Sequence, residues 1–321
     1  MIHKKNSILL FCLLFAGLSY QPARACEACG CSLGGFNFGI IPQTDTHFVG
    51  VKFSRARFFA SVAHTGQVPE HSHDSYYRWD LMGRFALSER WQLNLVLPYL
   101  YNDMNGSHEQ HKLNGMGDPM VLMNYKLLQQ KATADDQWIH NLWVGTGVKA
   151  PVGSFAYNQN EQLINPNFQL GTGSWDVLVT GNYMVNYNRY GLNVEAVYKM
   201  NTVNSQQYRF GNKANGQANL FYNLPSGKLN LVPFAGLYAE YGGKHTFEGF
   251  FEANSGGKAV FANAGLQVQG KGLLLNLNYQ NPIRQRFNSD RHVHIDARER
   301  FSVAVLFLIN KGAGASPFRI K

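Results

Sequence analysis

Apolar and polar residues alternate along most of the chain with the period of two that is typical of β-strands. Segment 272–285 is a clear case, because Leu273, Leu275 and Leu277 share one face while asparagine and glutamine occupy the other. Turn-forming residues separate such segments, and together they predict twelve strands. We place these strands at 47–60, 75–87, 91–101, 117–128, 138–150, 168–186, 190–202, 209–224, 229–242, 258–270, 272–285 and 297–309.

The connections between the predicted strands alternate between long and short. Odd connections such as 102–116 and 151–167 are long, whereas even ones such as 88–90 and 270–271 are short. A barrel that crosses an outer membrane has this asymmetry, with tight periplasmic turns and longer loops outside. The predicted fold class is therefore all-β, a transmembrane antiparallel up-and-down β-barrel of about 12 strands.

The main alternative is a soluble β-sandwich or a secreted barrel such as a lipocalin, which shares the alternation. Predicted strands of about 10 to 14 residues exceed the ~5–6 usual in soluble proteins and match the ~9–11 that cross a bilayer. Charged residues make up 15% of the chain, against ~25% in typical soluble domains. Aromatic residues also lie near strand ends, as interfacial girdles require: Tyr76, Tyr77, Trp91, Tyr101, Trp138, Tyr187 and Tyr190.

Some strands carry charges on one face, which hydrocarbon does not accommodate. In the second predicted strand, Arg78, Asp80 and Arg84 oppose aromatic and apolar residues, and an arginine at the bilayer centre costs about 2–4 kcal/mol. These side chains are predicted to line a wet lumen, together with Glu195 and Lys199.

The first predicted strand departs from this pattern. Arg55 and Arg57 have the same parity as the apolar residues Val49, Val51 and Phe53. A bulge, or an early end to the membrane portion of the strand, would account for the mismatch.

The N-terminus has the features of a secretory signal peptide, with a basic start, an apolar run at 8–18 and an A-x-A pattern at 23–25. The predicted organisation is a signal peptide at 1–25, a Cys-rich periplasmic segment at 26–46, the barrel at 47–309 and a C-terminal tail at 310–321. The expected location is the outer membrane of a Gram-negative bacterium, in contact with its lipid. Because of the tail, the barrel assembly machinery would have to recognise an internal signal.

Three cysteines lie close together after the predicted cleavage site, at Cys26, Cys29 and Cys31. Thiolates at this spacing can share a soft ion such as Cu(I) or Zn(II), with a fourth ligand from elsewhere. The alternatives are a disulfide that leaves one thiol over, or lipidation of Cys26. The preceding residues lack a lipobox, so metal binding and a disulfide remain the two main interpretations.

Histidines are concentrated in the predicted long connections. Those separated by two or three positions are His71, His73, His108, His111, His292 and His294. Neutral imidazole binds Zn and Cu, so converging loops would place a transition-metal site at the outer mouth. The alternative is that these are solvated loop residues. No cofactor is required in either case.

Three short motifs follow one another between 115 and 176. They are G-x-G-D with Gly115, Gly117 and Asp118, K-x-P-x-G with Pro151 and Gly153, and G-x-G-x-x-D with Gly171, Gly173 and Asp176. In this order they resemble the outer-membrane transporter-like family described as "MetA-pathway of phenol degradation", over about residues 75–309. The resemblance implies a barrel that passes small, often aromatic or hydrophobic compounds, and it brings no catalytic residues.

The residues of these motifs also have a structural interpretation of their own. The glycines predict bends where the backbone leaves the sheet. Asp118 and Asp176 predict turn caps, or hydrogen bonds to loop backbone at the outer rim of the barrel.

Other functional classes are disfavoured. The net charge of +9 is spread along the chain, whereas a nucleic-acid site needs clustered Lys and Arg. The glycines form neither a G-x-G-x-x-G nor a Walker motif, so no nucleotide site is expected. An enzyme is not expected either, because His140, within a predicted strand, has no identifiable serine or acid partner.

The sequence therefore predicts an outer-membrane channel or transporter for a small solute, either a hydrophobic or aromatic compound or a transition metal. The main alternative is a metal-binding or sensing outer-membrane protein that uses loop histidines and N-terminal cysteines. An outer-membrane barrel hydrolase is a weaker alternative.

Overall fold

The computed structural model describes residues 47–63, 69–130, 138–156, 158–159, 162–163, 165–287, 289 and 292–309. Its long strands are β1 (His47–Val62), β2 (Glu70–Ala86), β3 (Trp91–Gly106), β4 (Met120–Gln129), β5 (Trp138–Lys149), β6 (Asp176–Tyr187), β7 (Tyr190–Asn201), β8 (Lys213–Tyr222), β9 (Leu229–Gly242), β10 (Gly257–Gln269), β11 (Leu273–Phe287) and β12 (Val293–Ile309). Shorter strands are Gln110–Met116, Asn158–Gln159, Gln162–Leu163, Tyr208–Arg209, Leu224–Ser226, Thr246–Phe247 and Phe250–Phe251, and Pro166–Phe168 is a 3-10 helix. Within these ranges no helix is long and apolar enough to cross a membrane.

The twelve long strands form a closed antiparallel barrel, which confirms the predicted fold. Each long strand pairs with its neighbours in sequence, and β1 pairs with β12 from His47↔Ile309 to Val62↔Val293. Closure removes the sheet edges, whose backbone groups lipid could not satisfy. The end of the barrel with His47 and Ile309 is called the lower end below, and the opposite end the upper end.

Side chains alternate between the inside and the outside of the barrel along each strand. In β1 the even-numbered residues from Phe48 to Val62 are buried, while Val49, Val51 and Phe53 face outward. The alternation continues without a break through Arg55 and Arg57, which also face outward. Of the two explanations offered for β1, an early end to its apolar outer band fits the structure, because the nearby bulge lies in β12.

The strands extend further at the upper end than the sequence predicted. Strand β2 begins at Glu70 and β12 at Val293, so the connections at 63–69 and 288–292 are short rather than long. Polar residues such as those at 70–73 resemble a loop, yet they pair in a sheet beyond the apolar band. As a consequence His71, His73, His111 and His294 lie in strands and not in loops.

Strand β6 shows the opposite difference, because it begins at Asp176 and not at 168. Residues Pro166–Phe168 form a 3-10 helix in which the side chain of Asn165 accepts a hydrogen bond from the Asn167 N–H. Asn-Pro favours such a turn over a strand.

Tyr76 was predicted to lie in an aromatic girdle at the membrane interface. Its side chain instead points into the barrel and is 3% exposed.

Apolar and polar layers fill the interior. An upper apolar cluster includes Phe58, Tyr76, Phe168, Phe261 and Ile295, and a second cluster includes Phe48, Met120, Leu122, Leu274 and Leu306. Buried amides occupy other inward positions, among them Asn94, Asn193, Asn219, Asn263 and Asn276. Several of their atoms, such as Asn193 Oδ1 and Asn276 Nδ2, have no hydrogen-bond partner in the described part of the chain.

One ion pair crosses the interior between strands that are not neighbours. Both terminal nitrogens of Arg300 on β12 donate to the carboxylate of Glu240 on β9, each at 2.8 Å. The Arg300 guanidinium also lies 4.2 Å from the centre of the Phe261 ring. Both charged side chains are buried, so each depends on the other for its neutralisation.

We expect Arg300→Met to lower the free energy of unfolding by about 3–5 kcal/mol, because it leaves the Glu240 carboxylate buried and unpaired. The double variant Glu240→Met, Arg300→Met should recover most of this loss. Urea unfolding in lipid vesicles measures both. A single variant as stable as the wild type would contradict a structural role for the pair.

Candidate functional site

The connection between β5 and β6 folds into the barrel in its described parts, which are 150–156, 158–159, 162–163 and 165–175. Phe168 from this connection is fully buried and belongs to the upper apolar cluster, together with Phe58 of β1 and Tyr76 of β2. The backbone oxygen of Phe168 accepts a hydrogen bond of 2.7 Å from the Asn102 side chain on β3. The segment, called the inward loop below, therefore narrows the upper half of the lumen.

A buried carboxylate fixes the inward loop at its base. Asp118 Oδ1 accepts from the Gly153 N–H at 2.9 Å, and Asp118 Oδ2 accepts from the Thr172 N–H at 2.8 Å. One side chain thus ties both ends of the loop to the start of β4. Charge-assisted hydrogen bonds of this kind are stronger than neutral ones.

Two lysines and a second aspartate complete this cluster. Lys149 Nζ lies 2.5 Å from Asp118 Oδ2 and 3.0 Å from Asp176 Oδ2, and it also donates to the Ser174 carbonyl at 3.0 Å. Lys199 Nζ is 3.8 Å from Asp176 Oδ2. Asp118, Lys149, Asp176 and Lys199 are together called the anchor below. The first three are buried, and the side chain of Lys199 is 19% exposed.

Glycines allow the two ends of the inward loop to pack against each other. A Cβ on Gly153 would lie 2.7 Å from the Leu170 carbonyl oxygen and 2.8 Å from the Gly171 Cα. Gly173 has a φ of 67°, which disfavours other residues. The G-x-G-D, K-x-P-x-G and G-x-G-x-x-D motifs thus meet at the anchor, although they are far apart in sequence.

A cavity lies beside the anchor, between the inward loop and the barrel wall. It measures about 1010 Å³, including the space that is open to solvent. Its apolar lining includes Tyr76, Leu100, Met120, Leu178, Val197 and Phe210, and its cationic lining is Arg78, Lys149, Lys199 and Lys213. Asp118 is the only acidic residue among the described lining. Asp80 and Asp176 lie behind the lining and pair with Arg78, Lys149 and Lys199.

Aromatic residues from three connections form a lid above this cavity. Phe155 of the inward loop packs on Tyr208 and Phe210, and Phe210 lies 4.9 Å from His245 between ring centres. The Tyr208 hydroxyl is 2.7 Å from His245 Nδ1. Burial, reinforced by the positive charges of Lys213 and Lys199, lowers the pKa of His245 to about 3.

The five residues predicted to line the lumen all lie on inward-facing strand positions. Arg78 and Asp80 pair at 2.6 Å on β2, and Arg84 donates to the Asn94 side chain at 2.9 Å. Glu195 accepts from Gln217 at 3.0 Å. Of these five residues, Arg78 and Lys199 line the cavity, and Lys199 also belongs to the anchor.

The predicted histidine ligands form no cluster of three or more in the described part of the chain. Cys26, Cys29 and Cys31 lie outside the described residues. His71 and His73 face outward on β2 with ring centres 5.9 Å apart. In the ranges that the structure describes, no group of three or more His, Cys, Asp or Glu side chains is arranged to hold a metal.

The other histidines have separate surroundings. His108 is exposed and lies 3.9 Å from Glu70. His111 Nε2 lies 3.0 Å from Glu109. His294 Nε2 lies 3.1 Å from Asp296, and the exposed His292 precedes β12.

Sequence reasoning did not identify the inward loop, the anchor as a unit, or the aromatic lid. Lys149 of the K-x-P-x-G motif is a signal from which the anchor could be predicted, because a lysine at the end of a strand can form ion pairs with the aspartates of the other two motifs. The path of the loop across the lumen had no comparable signal.

Solved structures of outer-membrane barrels share this fold. The COG4313 outer membrane channel from Pseudomonas putida F1 is similar with a TM-score of 0.58 and 13% identity, over 87% of this chain and all of that one. The β domain of the Bordetella autotransporter BrkA (TM-score 0.42, 11% identity, 81% of this chain and 99% of that one) and a Pseudomonas aeruginosa FadL homologue (TM-score 0.42, 11% identity, 82% and 90%) are less similar. No family model matches this chain, and neither does any curated protein. The likeness shows a shared fold, that of an outer-membrane-type barrel.

The anchor leads to a prediction about the inward loop. Asp118→Asn removes the charge that holds Gly153, Thr172 and Lys149, so the loop should open more often. We expect chymotrypsin to cut the folded protein near Phe168 at least about tenfold faster, since breaking a buried pair is strongly destabilising. The matched control is Asp103→Asn at the barrel rim, which should be cut like the wild type. Equal cutting of both variants would contradict the role of Asp118.

The lid leads to a prediction about pH. Neutral His245 is favoured in the closed lid, whereas in an open lid it takes up a proton below about pH 6.5. The lid should therefore lose stability as the pH falls from about 6.5 toward 3, by roughly 2 kcal/mol at pH 5. Hydrogen exchange of residues 243–256, corrected for intrinsic rates, should rise accordingly. His245→Gln should abolish this pH dependence, and an unchanged dependence in that variant would show that another group titrates.

Proposed function

We propose that this protein is an outer-membrane channel for small organic solutes, with the cavity beneath the inward loop as its selective region. The single observation that carries the proposal is the closed barrel whose lumen is narrowed by one anchored loop beside a lined cavity. Side chains fill much of the remaining interior, which suits a narrow conduit better than a general diffusion pore.

The lining of the cavity supports an organic solute over a transition metal. The lining offers a metal ion one carboxylate, that of Asp118, which Lys149 and two backbone N–H groups already contact. Its apolar side chains accommodate the body of a hydrophobic or aromatic molecule. Selectivity would come from the width of the lumen and from this mixed wall. The similarity to a protein named as an outer membrane channel agrees with this proposal.

The remaining parts of the proposal concern location and ancestry. Residues 1–25 would act as a signal peptide, and the barrel assembly machinery of a Gram-negative bacterium would insert the chain with the lower end in the periplasm. The motifs gathered at the anchor support a distant relation to the "MetA-pathway of phenol degradation" barrels. In this proposal the protein carries a solute and catalyses no reaction.

Solute flux into proteoliposomes tests the proposal, with a panel of small phenols, aromatic acids and sugars. Val197→Trp fills the cavity from β7 and should reduce flux by about tenfold or more, because the flux through a narrow pore depends on the radius of the pore. Val194→Trp, on the outward face of the same strand, is the matched control and should not change flux. A wild-type barrel that passes none of these solutes would contradict a channel function.

A further inference from the structure

Positive charge is concentrated on one outer wall of the barrel. Six basic side chains point outward near the upper end of the neighbouring strands β10, β11, β12 and β1: Lys258, Arg284, Arg286, Arg298, Arg55 and Arg57. On the opposite wall, the outward positions at the upper ends of β5 to β8 are uncharged, for example Val148, Val177, Met200 and Ala214. The basic set, called the basic wall below, is therefore one-sided.

The basic wall begins where the apolar outer band ends. On β11 the outward apolar positions start at Leu273 and end at Ile283, immediately before Arg284. On β12 they extend from Ile309 to Phe301, just below Arg298. Each stretch contains about nine to eleven residues, the length that a tilted strand needs to cross hydrocarbon. The cations are thus placed at the level of lipid head groups.

Aromatic contacts mark the same boundary. Phe53 lies 5.2 Å from Trp79 and 5.7 Å from Phe301 between ring centres. Arg55 pairs in register with Phe301, and its guanidinium lies 5.4 Å from the Tyr77 ring. Aromatic girdles form at membrane interfaces, so the charges directly above them face head groups rather than bulk solvent.

Among the described residues, only two of the six basic side chains of this wall have an acidic partner. Arg57 pairs with Glu299, and Arg298 lies 3.8 Å from Asp296. Lys258, Arg284 and Arg286 are exposed and form no ion pair with any described residue. Lys258 and Arg286 are partners in register across β10 and β11, so their charges are adjacent.

We propose that the basic wall binds a phosphorylated glycolipid of the outer leaflet, with Lys258, Arg284 and Arg286 contacting its phosphates. The acyl chains lie against the apolar band of β11 and β12, which ends next to the basic wall. The guanidinium group of arginine can donate two parallel hydrogen bonds to phosphate oxygens, and basic residues beside a membrane attract anionic lipids. This site is independent of the cavity and of the proposed solute.

The test uses the purified full barrel in detergent and fluorescent bisphosphorylated lipid A as the probe. The triple variant Lys258→Gln, Arg284→Gln, Arg286→Gln should bind it about 100-fold more weakly than the wild type, given the attraction that each basic residue contributes. The matched control Arg189→Gln, Lys228→Gln, Lys271→Gln removes the same charge from exposed lower turns and should bind within about threefold of the wild type. Unchanged migration of unboiled samples in electrophoresis verifies that both variants are folded.

Two further measurements show whether the basic wall binds the phosphorylated glycolipid or only its phosphate groups. Phosphate-free lipid A should bind as weakly to the wild type as bisphosphorylated lipid A binds to the triple variant. Inorganic pyrophosphate should not displace the lipid at equal concentration, because it has no acyl chains for the apolar band. The proposal would be overturned if both lipids bound equally well, or if pyrophosphate displaced the lipid completely. It would also be overturned if the control variant lost as much affinity as the triple variant, or if the wild type were a dimer that became monomeric in the triple variant.

Discussion

The pairing of β1 with β12 is the constraint on which the rest of the structure depends. Hydrocarbon offers no partner to a backbone N–H or C=O group, so a sheet can cross a bilayer only when its first and last strands meet. This pairing extends over almost the full length of both strands. Once the cylinder is closed, alternation sends one set of side chains to lipid and the other to the interior. The polar interior and the apolar exterior are then consequences of one geometric condition.

Closure leaves a lumen, and the anchor determines its shape. Asp118, Lys149 and Asp176 come from three different segments and neutralise one another in a buried position. Burying charges is costly unless they are paired and hydrogen-bonded, and here the carboxylate of Asp118 also accepts two backbone N–H groups. The inward loop therefore has a defined path, and the anchor forms part of the wall of the cavity beside it.

The membrane-facing part of the fold could be predicted from the sequence because lipid imposes a simple rule on it. Strand β9 was predicted with its observed bounds, and Phe301 to Phe307 alternate as expected. The rule ends where the bilayer ends. There the polar residues 70–73 continue a strand, and 168–175 belong to the inward loop because tertiary contacts of Phe168 and the turn at Pro166 prevail.

The candidate site could be predicted only in part. Motif glycines and aspartates suggested turns at the rim, and the structure places them at the anchor, but the pairing with Lys149 depends on the path of the chain across the lumen. Histidine spacing suggested a mouth site, yet the strands carry His71 and His294 to the outer wall. Sequence spacing does not encode such long-range placement.

Spin-label accessibility along β12 in lipid bilayers tests the central claim most directly. Labels at successive positions from 301 to 306, in a chain whose mature cysteines are replaced by serine, report contact with lipid-dissolved oxygen. A closed barrel in a bilayer predicts high oxygen access at 301, 303 and 305 and low access at 302, 304 and 306. Uniformly low access, or access without a period of two, would contradict it.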